Sequence, residues 1–317
     1  MIVGVSFFLL LLGTAGAAGF PENPIQVLVG WPVGNVNDML DRVIAEPLSE
    51  ILKQPVLVQN VPGGGGAVVL GKVKIEKPDG YTLFQTGSIA YSQVPWLRTV
   101  PFDPLKDFEF LASHAQIEAY LLCRSDSPWK TYEELIKYVK ENPKKVTFAS
   151  PGVNSALHLM MEYLAMKENL QWRHVPYQGS SQAFAALLGG HADLAPLSIG
   201  TELEYVKTGK FRPLVILSKN RSKRLPDLPT VGEKGYDFSV KIAFTWSVPA
   251  DTPADVKNIL EKALLQSFED PRVQDAMEKQ KVTYIPLGSK ETTGLVSDDH
   301  QKFGELMKKF GLGIFKK

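Results

Sequence analysis

Residues 25–38 read IQVLVGWPVGNVND, and their pattern predicts the class of the fold. The first five residues form a mostly apolar run that ends at Gly30, which predicts a short buried strand. From Met39 onward apolar residues recur at helical spacing, so a helix follows, with Asn37 or Asp38 as its predicted N-cap. A buried strand joined by a short loop to a helix N-terminus begins a βαβ unit. The segment therefore predicts an α/β protein with a parallel sheet.

The same alternation of strand and helix continues along the chain and restarts near Ser125. Strands are predicted at residues 25–29, 55–59, 81–86, 146–149, 172–175, 192–197 and 213–218. Residues 251–317 are predicted to be mainly helical. We expect a first lobe at residues 20–124, a second lobe at 125–238, and a C-terminal return to the first lobe at 239–317.

The composition excludes several classes of function. The chain has 317 residues and a formal net charge of +1, which gives no electrostatic footprint for nucleic acid. Its single cysteine, Cys123, excludes an intrachain disulfide and a cysteine-rich zinc site. The five histidines include no His-Glu-x-x-His pair, so no metal site is expected. A two-domain protein for a small ligand, without a cofactor, is the resulting expectation.

The N-terminal segment has the pattern of a targeting signal. Residues 2–12 are almost wholly apolar, and Ala15-Gly16-Ala17 offers the small-x-small pattern of a cleavage site. We predict a signal peptide at residues 1–19 and a periplasmic mature protein. No basic residue precedes the apolar run, which is atypical. The alternative interpretation is an uncleaved anchor helix.

Two loops hold the residues best suited to ligand binding. One spans Pro32 to Asp38 and the other Ser150 to Ser155, each between a predicted strand and a helix N-terminus. Open α/β sheets bind ligands at this edge, and helix N-termini attract anions. Neither loop contains Arg or Lys, so backbone N–H groups would capture a carboxylate. The alternative is that each loop is an ordinary turn.

Several motifs in fixed order resemble those of the tripartite tricarboxylate transporter solute-binding receptors, the TctC or Bug family. They are WPVGNVND at residues 31–38, VPGGGG at 61–66, KPDGYTL at 77–83, SPGVNSALHLMME at 150–162, VPYQGS at 175–180, LLGG at 187–190 and LPDLPTV at 225–231. The resemblance runs from about Phe20 to the C-terminus.

The resemblance implies a two-lobed type II periplasmic-binding (Venus flytrap) fold that closes on a carboxylated solute. It also implies a monomeric receptor that serves tripartite tricarboxylate transporter membrane permease subunits (TctA/TctB-like), with no enzymatic activity. By motif position, the ligand carboxylate contacts are Pro32, Val33, Gly34, Asn35, Asn37, Asp38, Ser150, Gly152, Val153, Asn154 and Ser155. Contacts with the distal part of the ligand are assigned to Thr86, Gly87, Ser88, Tyr177 and Ser198.

The chain departs from the family pattern at two places. The family commonly has two or three glycines after Pro32-x, whereas Gly34 is followed here by Asn35-Val36-Asn37. The family often has Phe-Asp where Pro196-Leu197 stand here. The lost acid disfavours selection of an amino-acid ammonium, and we expect a plain di- or tricarboxylate or an aromatic acid.

Two other functions stay open from the sequence. One is a sensor accessory that presents its solute to a membrane kinase. The other is an enzyme acting on a carboxylic acid, with Ser150 or Ser155 as nucleophile and His158 as base, although no orienting acid is evident. His158 lies on a predicted helix between leucines, which favours a packing role. Asp38 is interpreted first as a helix-capping acid and second as a ligand contact.

Overall fold

A computed structural model describes residues 19–198 and 203–316 as a mixed α/β chain. The strands are β1 (Ile25–Val29), β2 (Val56–Asn60), β3 (Thr82–Gly87), β4 (Phe108–Arg124), β5 (Thr147–Ser150), β6 (Arg173–Pro176), β7 (Leu194–Ser198), β8 (Phe211–Ile216), β9 (Lys241–Pro249) and β10 (Thr283–Leu287). The α-helices are α1 (Val36–Leu52), α2 (Ala67–Val73), α3 (Ile89–Ser92), α4 (Val94–Leu97), α5 (Tyr132–Glu141), α6 (Ala156–Glu168), α7 (Ser180–Leu188), α8 (Leu203–Lys207), α9 (Ala254–Phe268), α10 (Pro271–Lys279) and α11 (Ser289–Phe310).

Two groups of parallel strands are joined through antiparallel neighbours. The strand order is β2-β1-β3-β9-β4-β7-β5-β6, and both β8 and β10 also pair with β4. In the first lobe β1 lies parallel to β2 and β3, and in the second lobe β5 lies parallel to β6 and β7. We use "first lobe" for β1–β3, β9, β10 and the start of β4, and "second lobe" for β5–β8 and the end of β4.

Strand β4 passes from one lobe into the other. Its residues 108–118 pair with β9, and its residues 119–124 pair with β7 and β8. The sequence did not predict β4, β9 or β10. Ser113 and His114 are wholly buried on β4, so polar residues interrupt the apolar pattern by which a strand is recognised. The predicted residue bounds of the lobes stay predictions.

Each lobe has its own apolar core. Trp246 and Phe244 of β9 are wholly buried in the first lobe, and Phe148 of β5 is wholly buried in the second. Helix α11 contributes to both lobes: Val296 packs with first-lobe residues, and Phe303 packs with the core of the second. The C-terminal segment therefore connects the two lobes a second time.

Strand positions in the βα units follow the sequence closely. β1 has the predicted bounds, and β2, β3, β5 and β6 each begin one residue later than predicted.

Among the residues that the structure describes, no helix combines the length and apolar character needed to cross a membrane. The predicted signal peptide, residues 1–19, lies outside the described residues apart from Gly19.

Candidate functional site

The predicted ligand contacts lie at or just beyond the carboxyl ends of five parallel strands. In the first lobe these are the loop after β1 (residues 30–35, the first loop), the start of α1, and the end of β3. In the second lobe they are the loop after β5 (residues 151–155, the second loop), the residue after β6, and the end of β7. This is the edge at which open α/β sheets place their ligands.

Asp38 holds the first loop in place. Its carboxylate accepts hydrogen bonds from the Gly34 N–H (2.8 Å), the Asn60 amide (2.8 Å) and Arg42 Nε (3.0 Å). The same Asn60 amide also donates to the carbonyl of Trp31 (2.9 Å). Burial raises the pKa of Asp38, but the three donors outweigh burial and the net shift is downward. Asp38 is therefore an ionised structural anchor whose acceptors are occupied by the protein.

The N-cap of α1 is Asn35, so the prediction of Asn37 or Asp38 was wrong. The Asn35 side chain accepts from the backbone N–H of Asn37 (3.0 Å). Asn37, two residues further, is buried and accepts a hydrogen bond from Gln85 of β3 (2.9 Å). The N-cap lies two or three residues earlier than predicted, because Val36 already has helical geometry.

The end of β3 packs beneath the first loop. Thr86 and Ser88 are wholly buried, and the Ser88 hydroxyl accepts from the backbone N–H of Ala243 (3.1 Å). A Cβ atom at Gly30 or Gly66 would lie 2.8 or 2.6 Å from the Thr86 hydroxyl oxygen. The glycines at these two positions therefore allow the backbone to approach β3 closely. This packing explains why the last residue of the VPGGGG motif, Gly66, is a glycine.

The second loop is organised by two serine hydroxyls that meet at one carbonyl. Ser155 Oγ caps α6 by accepting from the His158 N–H (3.2 Å) and donates to the Gly152 carbonyl (2.9 Å). Ser150 Oγ lies 3.1 Å from the same carbonyl. Gly152 has φ of +148° and Asn154 has φ of +65°, both in the left-handed region. The loop therefore holds two backbone conformations that most L-residues adopt rarely.

A column of three rings lies beneath the second loop. The rings of His158 and His174 stack with centroids 4.0 Å apart, and Phe148 stacks on His174 at 4.7 Å. His174 Nε2 is 2.6 Å from Ser150 Oγ, and His158 Nδ1 accepts from the Asn154 N–H (3.2 Å). Burial, together with the neighbouring His158, lowers the pKa of His174 to about 4. The predicted packing role of His158 agrees with these contacts.

Tyr177 and Ser198 complete the second-lobe side. The Tyr177 N–H donates to the Ser150 carbonyl (3.0 Å), and a Cβ at Gly152 would lie 3.5 Å from the Tyr177 carbonyl oxygen. The Tyr177 side chain is half-buried. Ser198 is also half-buried and pairs with Ala119 where β4 leaves the first lobe. Tyr177 is thus joined to the second loop, whereas Ser198 lies at the junction of the lobes.

Within residues 19–198 and 203–316, four buried polar atoms of the site have no hydrogen-bond partner. They are Trp31 Nε1, Gln85 Oε1, Thr86 Oγ1 and Asn154 Oδ1. Buried polar groups are normally satisfied, and groups that the protein leaves unsatisfied are candidates for contact with water or a ligand. Val33 and Val153, at the tips of the two loops, are 74% and 59% exposed. The site therefore combines exposed loop tips with unsatisfied polar atoms below them.

Sequence reasoning missed three residues that shape the site: Asn60, Gln85 and His174. Asn60 and Gln85 lie at the ends of β2 and β3, and their position at the sheet edge was the available signal. His174 is the second residue of β6, and its approach to Ser150 depends on strand register, which pairs His174 with Phe148. That register could not be predicted from local sequence.

The serine and histidine arrangement does not match the enzyme hypothesis. Ser155 Oγ contacts the His158 backbone rather than its ring. The histidine ring beside Ser150 is that of His174, and Ser150 is wholly buried. No group of three or more His, Cys, Asp or Glu residues suited to a metal ion occurs in residues 19–198 and 203–316.

Comparison with known proteins assigns the chain to one family. Residues 40–312 match the model of a family described as "Tripartite tricarboxylate transporter family receptor". A relative in Cupriavidus necator, described as a UPF0065 protein in the gbd 5′ region, is 34% identical over 94% of this chain and 90% of its own length.

Solved structures share the fold. A TctC solute-binding protein from Polaromonas, solved without ligand, has a TM-score of 0.84 and 27% identity, covering 92% of this chain and 99% of that one. MatC from Rhodopseudomonas palustris, solved with bound malate, has a TM-score of 0.68 and 24% identity, covering 90% and 99%. The predicted α/β, two-lobed fold is confirmed.

Proposed function

The chain belongs to the tripartite tricarboxylate transporter receptor family, and from this premise we propose that its two loops capture a small carboxylate between the lobes. The motif resemblance is thereby confirmed, and solute binding for a transporter is the function of the chain. Which solute it binds and which residues hold it are the subject of the proposal. The ligand contacts proposed are those assigned from the motifs, except that Asp38 is proposed to act by holding the first loop through its bonds to Gly34, Asn60 and Arg42.

The observation that carries the proposal is the matched construction of the two loops. Each follows a parallel strand and ends at an Asn or Ser N-cap, Asn35 in the first lobe and Ser155 in the second. Each therefore presents helix N-terminal N–H groups, which favour an anion. Neither loop contains a cation, and nearby Arg42 is engaged by Asp38. Capture by N–H groups suits a carboxylate and avoids burying an unpaired charge.

Two features restrict the ligand class. MatC, which shares the fold, holds malate in its solved structure. In this chain Pro196 and Leu197 stand on β7 just before Ser198, so that position has no carboxylate for an ammonium group. A plain di- or tricarboxylate or an aromatic acid is therefore the proposed ligand.

Binding is proposed to act by population shift. A ligand that contacts both loops gains its full set of contacts only when the lobes close, so it stabilises the closed state. The mature protein is proposed to be a periplasmic monomer that delivers its ligand to TctA/TctB-like permease subunits. It is proposed to need no cofactor and to leave its ligand chemically unchanged.

The direct test is a binding screen of the mature chain from Phe20 onward. The panel contains L-malate, adipate, citrate, glutamate and phthalate, each beside its uncharged amide analogue. A ligand at 100 times its Kd stabilises the native state by about 2.7 kcal/mol, a Tm shift of a few degrees. A shift given by an acid and absent with its amide supports carboxylate capture. A folded protein that responds to none of the acids contradicts it.

A charge placed at a loop tip tests the site itself. Val153→Asp adds an anion beside the helix N-terminus, whereas Val153→Asn has the same shape without charge. Val153 is exposed, so neither variant is expected to unfold. We expect Val153→Asp to weaken binding at least tenfold, about 1.4 kcal/mol, while Val153→Asn stays near wild type. Equal affinities in the two variants would remove the second loop from the site. Gly152 is a poor position for this test because its φ of +148° strains any side chain.

The sensor alternative uses the same pocket and differs only in its partner. The screen therefore does not separate a transport receptor from a sensor. A second measurement separates both of them from an enzyme, because recovery of the unaltered acid after long incubation excludes turnover. A cross-linked complex with a multi-span permease supports the transport role, and one with a membrane kinase supports the sensor.

A further inference from the structure

We propose that His158 and His174 are positioning residues: as a stacked pair of neutral imidazoles, they hold the second loop in the conformation that receives the ligand. This inference rests on the proposed function of that loop. It adds two residues, His158 and His174, that were not among the assigned ligand contacts.

Each imidazole secures a different part of the loop. His174 Nε2 contacts Ser150 Oγ at 2.6 Å, where the loop leaves β5. His158 Nδ1 accepts from the Asn154 N–H at 3.2 Å, one residue before the α6 N-cap. Because the two rings stack at 4.0 Å, neither can move without displacing the other. The pair therefore links the beginning and the end of the loop through one rigid unit.

The loop needs such support because its backbone is unfavourable. Asn154 has φ of +65°, a left-handed conformation that costs most non-glycine residues roughly 1 kcal/mol or more and costs Asn less. Such conformations persist only when surrounding contacts fix them. His158 supplies the contact to the Asn154 N–H, and Ser155 fixes the preceding Gly152 carbonyl at 2.9 Å. Without His158, the Asn154 N–H loses its acceptor and the left-handed conformation loses its support.

The geometry also specifies the protonation state. A ring nitrogen that accepts a hydrogen bond carries no proton, so His158 bears its proton on Nε2. That nitrogen lies 3.6 Å from Glu162 Oε1, one turn further along α6. The ionisable groups acting on His174 are His158 and Glu162, and two positive rings 4.0 Å apart would repel each other. A pKa of His174 near 4 agrees with a neutral His174 ring at pH 7.

The test compares variants that remove or preserve the hydrogen-bonding atoms of the two rings. His158→Leu and His174→Leu remove them. His158→Asn places an amide oxygen near the Nδ1 acceptor, and His174→Gln places a side-chain amide near Nε2. The exposed His191→Gln is the control. Affinity for L-malate or adipate, whichever the wild type binds, is measured by calorimetry. We expect the Leu variants to weaken binding by about tenfold or more, and the amide variants to recover most of the loss.

Recovery by the amides distinguishes positioning from simple packing, since Leu fills similar space. Leu variants that bind as tightly as wild type would overturn the proposal. Amide variants that bind as weakly as the Leu variants would also overturn it, because the hydrogen bonds of the two rings would then be irrelevant.

A ligand-independent readout separates this inference from the proposed function. In a long-range ¹H–¹⁵N spectrum at pH 7, His158 should show a bare Nδ1 and a protonated Nε2. The Asn154 amide signal should shift in His158→Leu and return in His158→Asn. If wild type binds no carboxylate but these signals appear, the proposed function fails while the support of the loop stands. A protonated Nδ1 on His158 overturns the inference whatever the ligand.

Discussion

The two loops of the site have the same place in their βα units but are held by different chemistry. The first depends on an ionised carboxylate, Asp38, with three donors from the loop, β2 and α1. The second depends on neutral hydroxyl and imidazole groups, Ser150, Ser155, His158 and His174. A charged anchor is strong where every acceptor is occupied, but it is costly once a partner is lost. In a neutral network each hydrogen bond contributes less to stability, so the loss of one bond costs less.

The largest effect is expected from Asp38→Ala. It leaves the Gly34 N–H, the Asn60 amide and Arg42 without their shared acceptor, so the unfolding free energy should fall by about 2–4 kcal/mol. Urea denaturation at pH 7 measures the change. Asp126→Ala is the control, because the Asp126 carboxylate is 69% exposed and its loss should change stability little. If Asp38→Ala and wild type have equal urea midpoints, the first loop does not depend on this carboxylate and the prediction is wrong.

Asp41, one turn further along α1, has a raised pKa, whereas the pKa of Asp38 is lowered. It is wholly buried, and neither carboxylate oxygen has a hydrogen-bond partner in the part of the chain that the structure describes. Burial, and then the nearby Asp38, raise its pKa well above the usual range. Because the folded state holds the proton more tightly, stability falls as pH rises above about 4.

Asp41→Asn should remove this penalty. We expect it to raise the unfolding free energy at pH 7 by about 1–3 kcal/mol, with the gain vanishing near pH 3. Denaturation curves of both proteins at pH 3, 5 and 7 measure the difference. A gain that does not depend on pH would show that the carboxyl is not the cause.

Ser150→Ala should have a smaller effect on the second loop. Ser150 is wholly buried, and the variant removes its contacts with His174 and Gly152. A loss of about 1–2 kcal/mol, unchanged between low and high salt, is expected because no charge is involved. Exposed Ser181→Ala on α7 serves as the matched control. A strong salt dependence would contradict the neutral description of this loop.

The smallest effect is expected from Arg42→Gln. Arg42 is 48% exposed, and its ion pair with Asp38 is one of three bonds to that carboxylate. The loss should be about 0.3–1 kcal/mol at low salt and should shrink at 1 M NaCl. A loss as large as that of Asp38→Ala would mean that the charge pair, rather than the bonds from Gly34 and Asn60, holds the first loop.

The sequence predicted the βα units well because each part has a local signal. The apolar run of β1 and the helical spacing of apolar residues from Met39 onward lie within the elements that they define. The wholly buried polar residues of β4 had no such signal, since their partners on β9 and β10 are distant in sequence. Within the site, the loops were predicted from their position between a strand and a helix N-terminus. The contacts of Asn60, Gln85 and His174 arise from sheet register, which no single segment specifies.

Strand β4 also has a consequence for the order of folding. Its neighbours in the first lobe, β9 and β10, belong to the last quarter of the chain, so that sheet stays incomplete until almost the whole chain has been synthesised. Contacts between segments this distant in sequence form slowly. A nascent chain lacking its C-terminal residues thus keeps an unpaired edge in its first-lobe sheet. Such a delay would suit the proposed periplasmic location, because an exported chain crosses a translocation channel before it acquires its final shape.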